Sequence, residues 1–199
     1  MSGMFGFDLE TLSVESTTII LSAGLVYVDP ETLSPDNDIA YTQMYDSGLF
    51  VKFKVSEQVA AGRTMSKDAL DWWAKQGQIQ RETSFIPSPC DLTVQEAYDL
   101  MSDYFFSIPG AKDMPIWVRG SMDQPAFESL CRTFSLKPIT TYNNYRDIRT
   151  AISILYCDTE KAGYVEIPNF NRDLVIKHDP VHDVCYDLLM LLRGQQLTV

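Results

Sequence analysis

The chain has 199 residues, 45% of them hydrophobic and 22% charged, and carries a formal net charge of −11. That length and apolar content suffice for a full core, so a single domain over 1–199 is expected. The acidic balance excludes a passive nucleic-acid coat protein, which would be basic, but leaves room for an enzyme that meets nucleic acid through divalent metal and a few local Arg and Lys side chains.

Residues 4–10 form the first predicted strand, and 18–28, TIILSAGLVYV, the second, ended by Asp29–Pro30. Residues 48–55, GLFVKFKV, alternate as a third strand, and the connections among the three are short enough for an antiparallel meander. A helix capped by Ser66 is expected over 66–76, followed by a loop over 77–91 with several turn and proline signals. Thr93 and Glu96 have capping-box spacing and open a helix through Phe106, with Val94, Ala97, Leu100, Met101 and Tyr104 on one side. A fourth strand is read at 115–119, with an exit turn at Gly120–Ser121 and a helix from Asp123 to Phe134. A fifth strand is read at 138–142 and a helix at 146–157, with irregular chain over 158–177. The last helix starts at Asp179–Pro180, buries Val181, Val184, Cys185, Leu188, Leu191 and Leu192, and is expected to stop at Arg193, before Gly194. Three strands followed by alternating helices and strands predict an α/β mixed sheet covered by helices, with sites at strand ends.

The stretch FGFDLETL sets Asp8 and Glu10 into an otherwise apolar strand. At i and i+2 they project to one face, roughly 7 Å apart. Two like charges at that distance repel by about 2 kcal/mol at an effective dielectric near 20, and burial adds a desolvation cost to each. A cation between them offsets both, and hard oxygen donors suit Mg²⁺ or Mn²⁺. The plain alternative is an edge strand whose acids face water. Asp123, just after the fourth strand, is either a helix N-cap or a third carboxylate at a strand end. KHDPVHDVCYDLLMLL holds both histidines, His178 and His182. His178–Asp183 and His182–Asp187 each fit an H-x-x-x-x-D pattern. The first pair is preferred: it puts Asp183 in the first turns of a buried helix and His178 on the loop before it, where an imidazole near its ordinary pKa can accept a proton.

Asp8-x-Glu10, Asp123, and His178 followed by Asp183 resemble the DEDDh 3′–5′ exonucleases of the ribonuclease H-like fold. SKDALDWWAKQ, WVRGSMDQPAF, YRDIRT and HDPVHDVCYDLLML extend the resemblance over nearly the whole chain, to the phage-type exodeoxyribonuclease A branch and its mycobacterial-type exoribonuclease relatives. Met122 departs from the aromatic residue that many relatives carry before the middle aspartate.

The resemblance implies a ribonuclease H-like mixed five-stranded sheet, its first three strands antiparallel, flanked by helices. It implies two divalent ions, Mg²⁺ or Mn²⁺, about 4 Å apart. Asp8, Glu10 and Asp183 would hold the first ion, Asp8 would bridge to the second, Asp123 would support that ion through water, and His178 would take the proton from the attacking water. Thr11 and Leu12 would grip the 3′-terminal nucleotide, with Leu12 either a wedge against a base or plain core. Arg119 is the candidate phosphate contact, and Arg146 and Arg149 are further candidates unless they form an internal network with Asp147. Trp72 and Trp73 occupy consecutive helical positions, so both cannot face the core equally: one can be exposed to stack on a base, or both serve core and packing roles.

The expected function is therefore metal-dependent 3′–5′ exonuclease cleavage of single-stranded DNA ends to nucleoside 5′-monophosphates. The same chemistry on RNA 3′ ends is the alternative, because one contact to a 2′-hydroxyl can set sugar preference. An inactive ribonuclease H-like protein-binding module is a third reading, and a zinc hydrolase is disfavoured by the absence of an HExxH arrangement. The apolar runs are too short for a membrane span, and the start MSGMFGFDLE lacks the features of a signal peptide. Cys90, Cys131, Cys157 and Cys185 are widely spaced without a CxxC pair, the pattern of reduced thiols in a cytoplasmic protein, or in the host cytoplasm if the chain is phage-encoded. Some relatives dimerise, so a homodimer is an open expectation.

Overall fold

A computed structural model of the chain describes residues 3–157 and 163–196. Its five-stranded sheet comprises β1 (Met4–Thr11), β2 (Ile20–Val28), β3 (Leu49–Lys52), β4 (Ile116–Val118) and β5 (Tyr145–Asp147). The spatial order is β3-β2-β1-β4-β5. The first three strands pair antiparallel, while β4 joins β1 and β5 joins β4 in parallel. Eight α-helices are described around it: α1 (Asn37–Ser47), α2 (Val55–Ala60), α3 (Lys67–Trp73), α4 (Gln78–Gln80), α5 (Val94–Ser107), α6 (Asp123–Thr133), α7 (Ile148–Leu155) and α8 (Pro180–Gln196).

The period-2 alternation of β1 sorts its side chains into two layers. Phe5, Phe7 and Leu9 join Val94, Ala97, Met101 and Phe105 of α5 and Phe127 and Leu130 of α6 in one core. The opposite face carries Gly6, Asp8 and Glu10. There Val26 and Val28 of β2 pack with α1, α7 and the apolar body of α8. α8 is buried on nearly every side, with Leu188, Leu189 and Met190 all at 0% exposure, so it is the central helix of that layer rather than an amphipathic cover.

Two glycines let α8 approach the sheet. A Cβ on Gly6 would lie 2.5 Å from Val184 Cγ1, and one on Gly24 would lie 2.5 Å from the Pro180 carbonyl carbon. Gly24 stands directly opposite Asp8 in the β1–β2 pairing. The start of α8 is thereby seated against the sheet at the level of the first aspartate.

Several sequence expectations are corrected. The connection between β2 and β3 contains α1, whose only buried residues are Ala40, Tyr41 and Met44, too few to give a helical apolar stripe. Its signal is Asp36, which accepts the Ile39 N–H at 3.0 Å as N-cap. β3 ends at Lys52 and the chain turns into α2. The expected loop 77–91 contains α4 and a π-helical turn, Arg81–Phe85. On α5 the inward residue is Phe105, whereas Leu100 is 46% exposed. The fifth strand is Tyr145–Asp147, not 138–142. Asn144 explains part of this: its amide donates to Lys112 O at 2.6 Å and Thr140 Oγ1 at 2.8 Å, fixing the preceding segment as a loop despite its β-branched residues. Gly194 does not stop α8, because the helix packs there so tightly on Tyr156 that a Cβ would lie 2.5 Å from its ring. Of the segment read as irregular, 158–162 lies outside the described residues.

Gly24→Ala forces the new methyl into Pro180 backbone, which cannot rotate away. The variant should lose about 1–3 kcal/mol, read as a lower urea midpoint with an unchanged slope.

Candidate active site

Asp8 and Glu10 project from the last turns of pleat in β1, toward α8. The β1–β2 register shifts between Glu10 and Thr11, a bulge that ends regular pairing beside the acids. Asp123 is the first residue of α6, and the N-cap position belongs to Met122, which makes no side-chain capping bond. Asp123 instead points inward at 6% exposure, where the backbone of Leu9 and Arg119 offsets part of the upward push of burial on its carboxyl. The turn that delivers it is fixed by Gly120, whose φ of 82° suits glycine and whose N–H donates to Asp147 Oδ1 at 3.0 Å.

The fourth carboxylate and the imidazole come from the start of α8. Asp179 caps the helix, accepting Val181 N–H at 3.0 Å and His182 N–H at 3.3 Å. His178 just before it has φ 62°, a left-handed conformation that histidine tolerates better than most residues. Its N–H donates to Asp183 Oδ2 at 3.0 Å, and its carbonyl accepts from Ser84 Oγ at 3.0 Å. Ser84 sits in the π turn and itself accepts from Ser22 Oγ, on the strand residue opposite Glu10, at 2.8 Å. The ring of His178 lies 4.8 Å, edge to face, from Trp72, and its Nδ1 is 3.6 Å from Glu10 Oε1.

Ligand atoms of Glu10, His178 and Asp183 all fall within 4.8 Å of one another. Asp8 and Asp123 belong to the same electrostatic cluster. Burial, then the charges of Asp123, Glu10 and Asp183, push the Asp8 carboxyl well above the usual range. Burial and the Glu10 charge raise both Asp123 and Asp183 to about 7. Burial likewise raises Glu10, opposed by His178. Attraction to the Glu10 carboxylate raises the His178 imidazole above its ordinary value against the opposing effect of burial. Four desolvated carboxylates with so little cationic compensation make an oxygen-donor cup that suits a hard divalent ion.

His182 is not part of this cluster. It is 6% exposed, stacks on Tyr45 at 4.2 Å, and its Nδ1 contacts the Tyr41 hydroxyl at 2.5 Å. Burial lowers its pKa. Asp187, its sequence partner, is held by Arg119 in a two-pronged ion pair with contacts of 2.7 to 3.1 Å. Arg119, the candidate phosphate contact, also donates to Gly163 O at 3.2 Å and lies on the face of Tyr164. Of the two alternatives for Leu12, the structure has the core one: at 3% exposure it packs with Ile19, Leu21 and Trp73. Thr11 stands at the strand end with its hydroxyl on Ser13 O at 2.9 Å. Trp73 is buried at 1% and stacks on Phe85, while Trp72 is 43% exposed. Asp147 caps α7 by accepting Arg149 N–H at 3.1 Å, and Arg146 donates to Asn143 and Tyr145 carbonyls rather than to Asp147.

Sequence reasoning missed two supporting residues. Asp187 was signalled by its i,i+4 spacing from Asp183, which puts both on one helix face. Ser84 lies in a stretch that read as a loop, and nothing in its local pattern marks a π turn.

The raised carboxyl values have a definite sign. These groups keep protons in the folded chain that the unfolded chain releases near the ordinary value of 3.8, so metal-free stability falls as pH rises from about 4 to about 7. A divalent ion binds the deprotonated form. Adding Mg²⁺ or Mn²⁺ should therefore raise the thermal midpoint more at pH about 7.5 than at about 5.5, and an equal increment at both would place the ion elsewhere.

The chain is similar to several known nucleases. Residues 4–189 match the family described as the 3′–5′ exoribonuclease Rv2179c-like domain. The exodeoxyribonuclease of Enterobacteria phage T4 is 27% identical over 207 residues, covering 94% of this chain and 88% of that protein. Among solved structures, cell-death related nuclease 4 (CRN-4) superposes with a TM-score of 0.59 at 13% identity, covering 98% of this chain and 64% of the other, so this chain spans less than two thirds of it. A full-length 3′-exonuclease superposes with a TM-score of 0.55 at 14% identity, covering 98% and 81%. The fold is the ribonuclease H-like mixed sheet of these nucleases. Among the described residues, no helix is long and apolar enough to cross a membrane.

Proposed function

Because the chain belongs to the Rv2179c-like family of 3′–5′ exonucleases and acts on nucleic acid, we propose that it removes nucleoside 5′-monophosphates from single-stranded 3′ ends, with DNA as the preferred substrate. The observation that carries the reading is the convergence of Asp8, Glu10, Asp123, Asp183 and His178 at one end of the sheet, from three separate parts of the chain. The sugar preference leans on the 27% identity to a phage exodeoxyribonuclease, and RNA is the second reading because the matching family is described as exoribonuclease.

In this proposal Asp8, Glu10 and Asp183 would hold one Mg²⁺ or Mn²⁺, Asp8 would reach a second, and Asp123 would support that second ion through water. Bound there, the ions would supply an activated water and stabilise charge on the leaving oxygen. The chain's own residues do the rest. His178 accepts the proton of the attacking water at Nε2, the ring nitrogen turned away from Glu10. Asp183 serves twice, as metal ligand and as acceptor of the His178 N–H, so the base and the ion site share one anchor. The left-handed backbone and the Ser84 hydrogen bond aim the ring. Trp72 closes one side of it against water.

Asp8→Ala should abolish metal-dependent mononucleotide release from a 3′-labelled oligonucleotide. His178→Ala should lower kcat by about 10²–10⁴-fold, and His182→Ala far less once its loss of packing is discounted by measuring the folded fraction. The reverse ranking would assign the base to His182. Native activity should rise with pH through the His178 titration, whose midpoint lies above 6.5 in the metal-free chain.

Sugar preference is decided by matched DNA and RNA oligonucleotides of one sequence. Faster digestion of the DNA is expected, and faster digestion of the RNA would make the chain an exoribonuclease.

A further inference from the structure

His178 and Asp183 also form one wall of a cleft of about 570 Å³, whose other walls include Tyr164, Arg172, Lys177 and Tyr186. The volume suits a nucleotide. The walls come from the segment leading into α8 and from α8 itself, whereas Trp72 and Trp73 reach His178 from α3. The imidazole thus stands between an aromatic shelf and a cleft with two cations.

The cleft is built rather than incidental. Arg172 Nη2 donates to the Tyr186 hydroxyl at 2.9 Å, and that hydroxyl donates to Val165 O at 3.1 Å. The Tyr164 ring is pinned on one face by the Arg119 guanidinium, 3.9 Å from its centroid, while the residue remains 51% exposed. Arg119 is in turn locked to buried Asp187. Lys177 is exposed and makes no hydrogen bond or ion pair among the described residues. On a chain with a net charge of −11, two cations and an available aromatic face beside the catalytic wall match what a single strand requires: charge for phosphates and a ring for a base.

We infer that this cleft carries the strand on the 5′ side of the scissile bond. Lys177 and Arg172 meet its phosphates, and Tyr164 stacks on the base next to the leaving oxygen. The inference rests on the exonuclease reading and deepens it: full affinity requires nucleotides beyond the one removed. It also gives the buried Arg119–Asp187 pair a purpose, since it orients the ring that receives the base.

The test compares two substrates of whichever sugar the native enzyme degrades faster. One is a hexanucleotide. The other is a p-nitrophenyl nucleoside 5′-phosphate ester, which offers a terminal nucleotide and a leaving group and nothing further. Lys177→Ala should raise KM for the hexanucleotide at least about fivefold more than for the ester, and Lys177→Glu more again. The dependence of log(1/KM) on log salt for the hexanucleotide should become shallower by about 0.7 for each phosphate that the variant no longer neutralises. Tyr164→Ala should cost about tenfold in kcat/KM on the hexanucleotide beyond any loss on the ester, within the range measured for single base–aromatic stacks. Thermal midpoints confirm that each variant is folded. Equal losses on both substrates, or none on either, overturn the cleft assignment. A native protein that hydrolyses neither substrate with Mn²⁺ overturns the exonuclease reading instead.

Discussion

The site depends on how closely the N-terminus of α8 lies on the sheet. Asp8 is fixed by β1, and the strand opposite it must be bare at Gly24 for Pro180 to come within contact of the sheet. Only then do His178 and Asp183 stand over Asp8 and Glu10. Gly6 does the same one turn further along, admitting Val184 and Leu188. The apolar body of α8, buried on nearly every side, supplies the stabilisation that holds a cluster of like charges together at its tip. Burial of a large aliphatic side chain contributes about 1.5–3 kcal/mol each, and α8 buries several of them, which offsets both the repulsion among the acids, about 2 kcal/mol for one partly screened pair, and the desolvation that is first among the causes raising Asp8, Asp123 and Asp183. Packing therefore wins over electrostatics, and the acids are carried along.

The helix start is consequently a compromise between two demands. A helix N-terminus favours negative charge, which suits Asp179 and Asp183. The same residues lie near Glu10, whose charge, after burial, pushes Asp183 to about 7. The backbone N–H of His178 relieves part of that cost by donating to Asp183. The relief requires His178 to adopt a positive φ, and the strain is fixed from the other side by Ser84 in the π turn. Strained backbone and π turns both tend to gather at functional sites, and here they meet at one carbonyl.

Much of this was legible in the amino-acid order. Asp8 and Glu10 stand out because two charges interrupt an apolar strand, and the helix after Asp179–Pro180 stands out because its apolar residues are nearly continuous. The four-carboxylate set was legible only through resemblance, because Asp123 alone reads equally well as an N-cap. What stayed hidden has physical reasons. α1 buries too few residues to show a stripe. β5 is three residues long with a charged, exposed edge, so its pattern looks like the start of the helix that follows. Gly194 reads as a helix stop until Tyr156 is seen lying across it. The Arg119–Asp187 ion pair stayed hidden because its partners are 68 residues apart in sequence, a separation no local pattern reports.

Charge placement sets how the molecule can meet a polyanion. The net charge of −11 repels nucleic acid at long range, and the carboxylate cup adds to that repulsion locally. Divalent ions held in the cup would reverse the sign at that one point, while the wall bearing Arg172 and Lys177 supplies cations immediately beside it. Neither feature is sufficient alone. Ions without the basic wall would hold a terminal phosphate but give no grip on the strand behind it. The basic wall without ions would set the strand beside an uncompensated acidic cup. In the proposed function their adjacency, with His178 and Asp183 belonging to both, would make productive binding conditional on the metal, so that strand capture and readiness for hydrolysis would arise together.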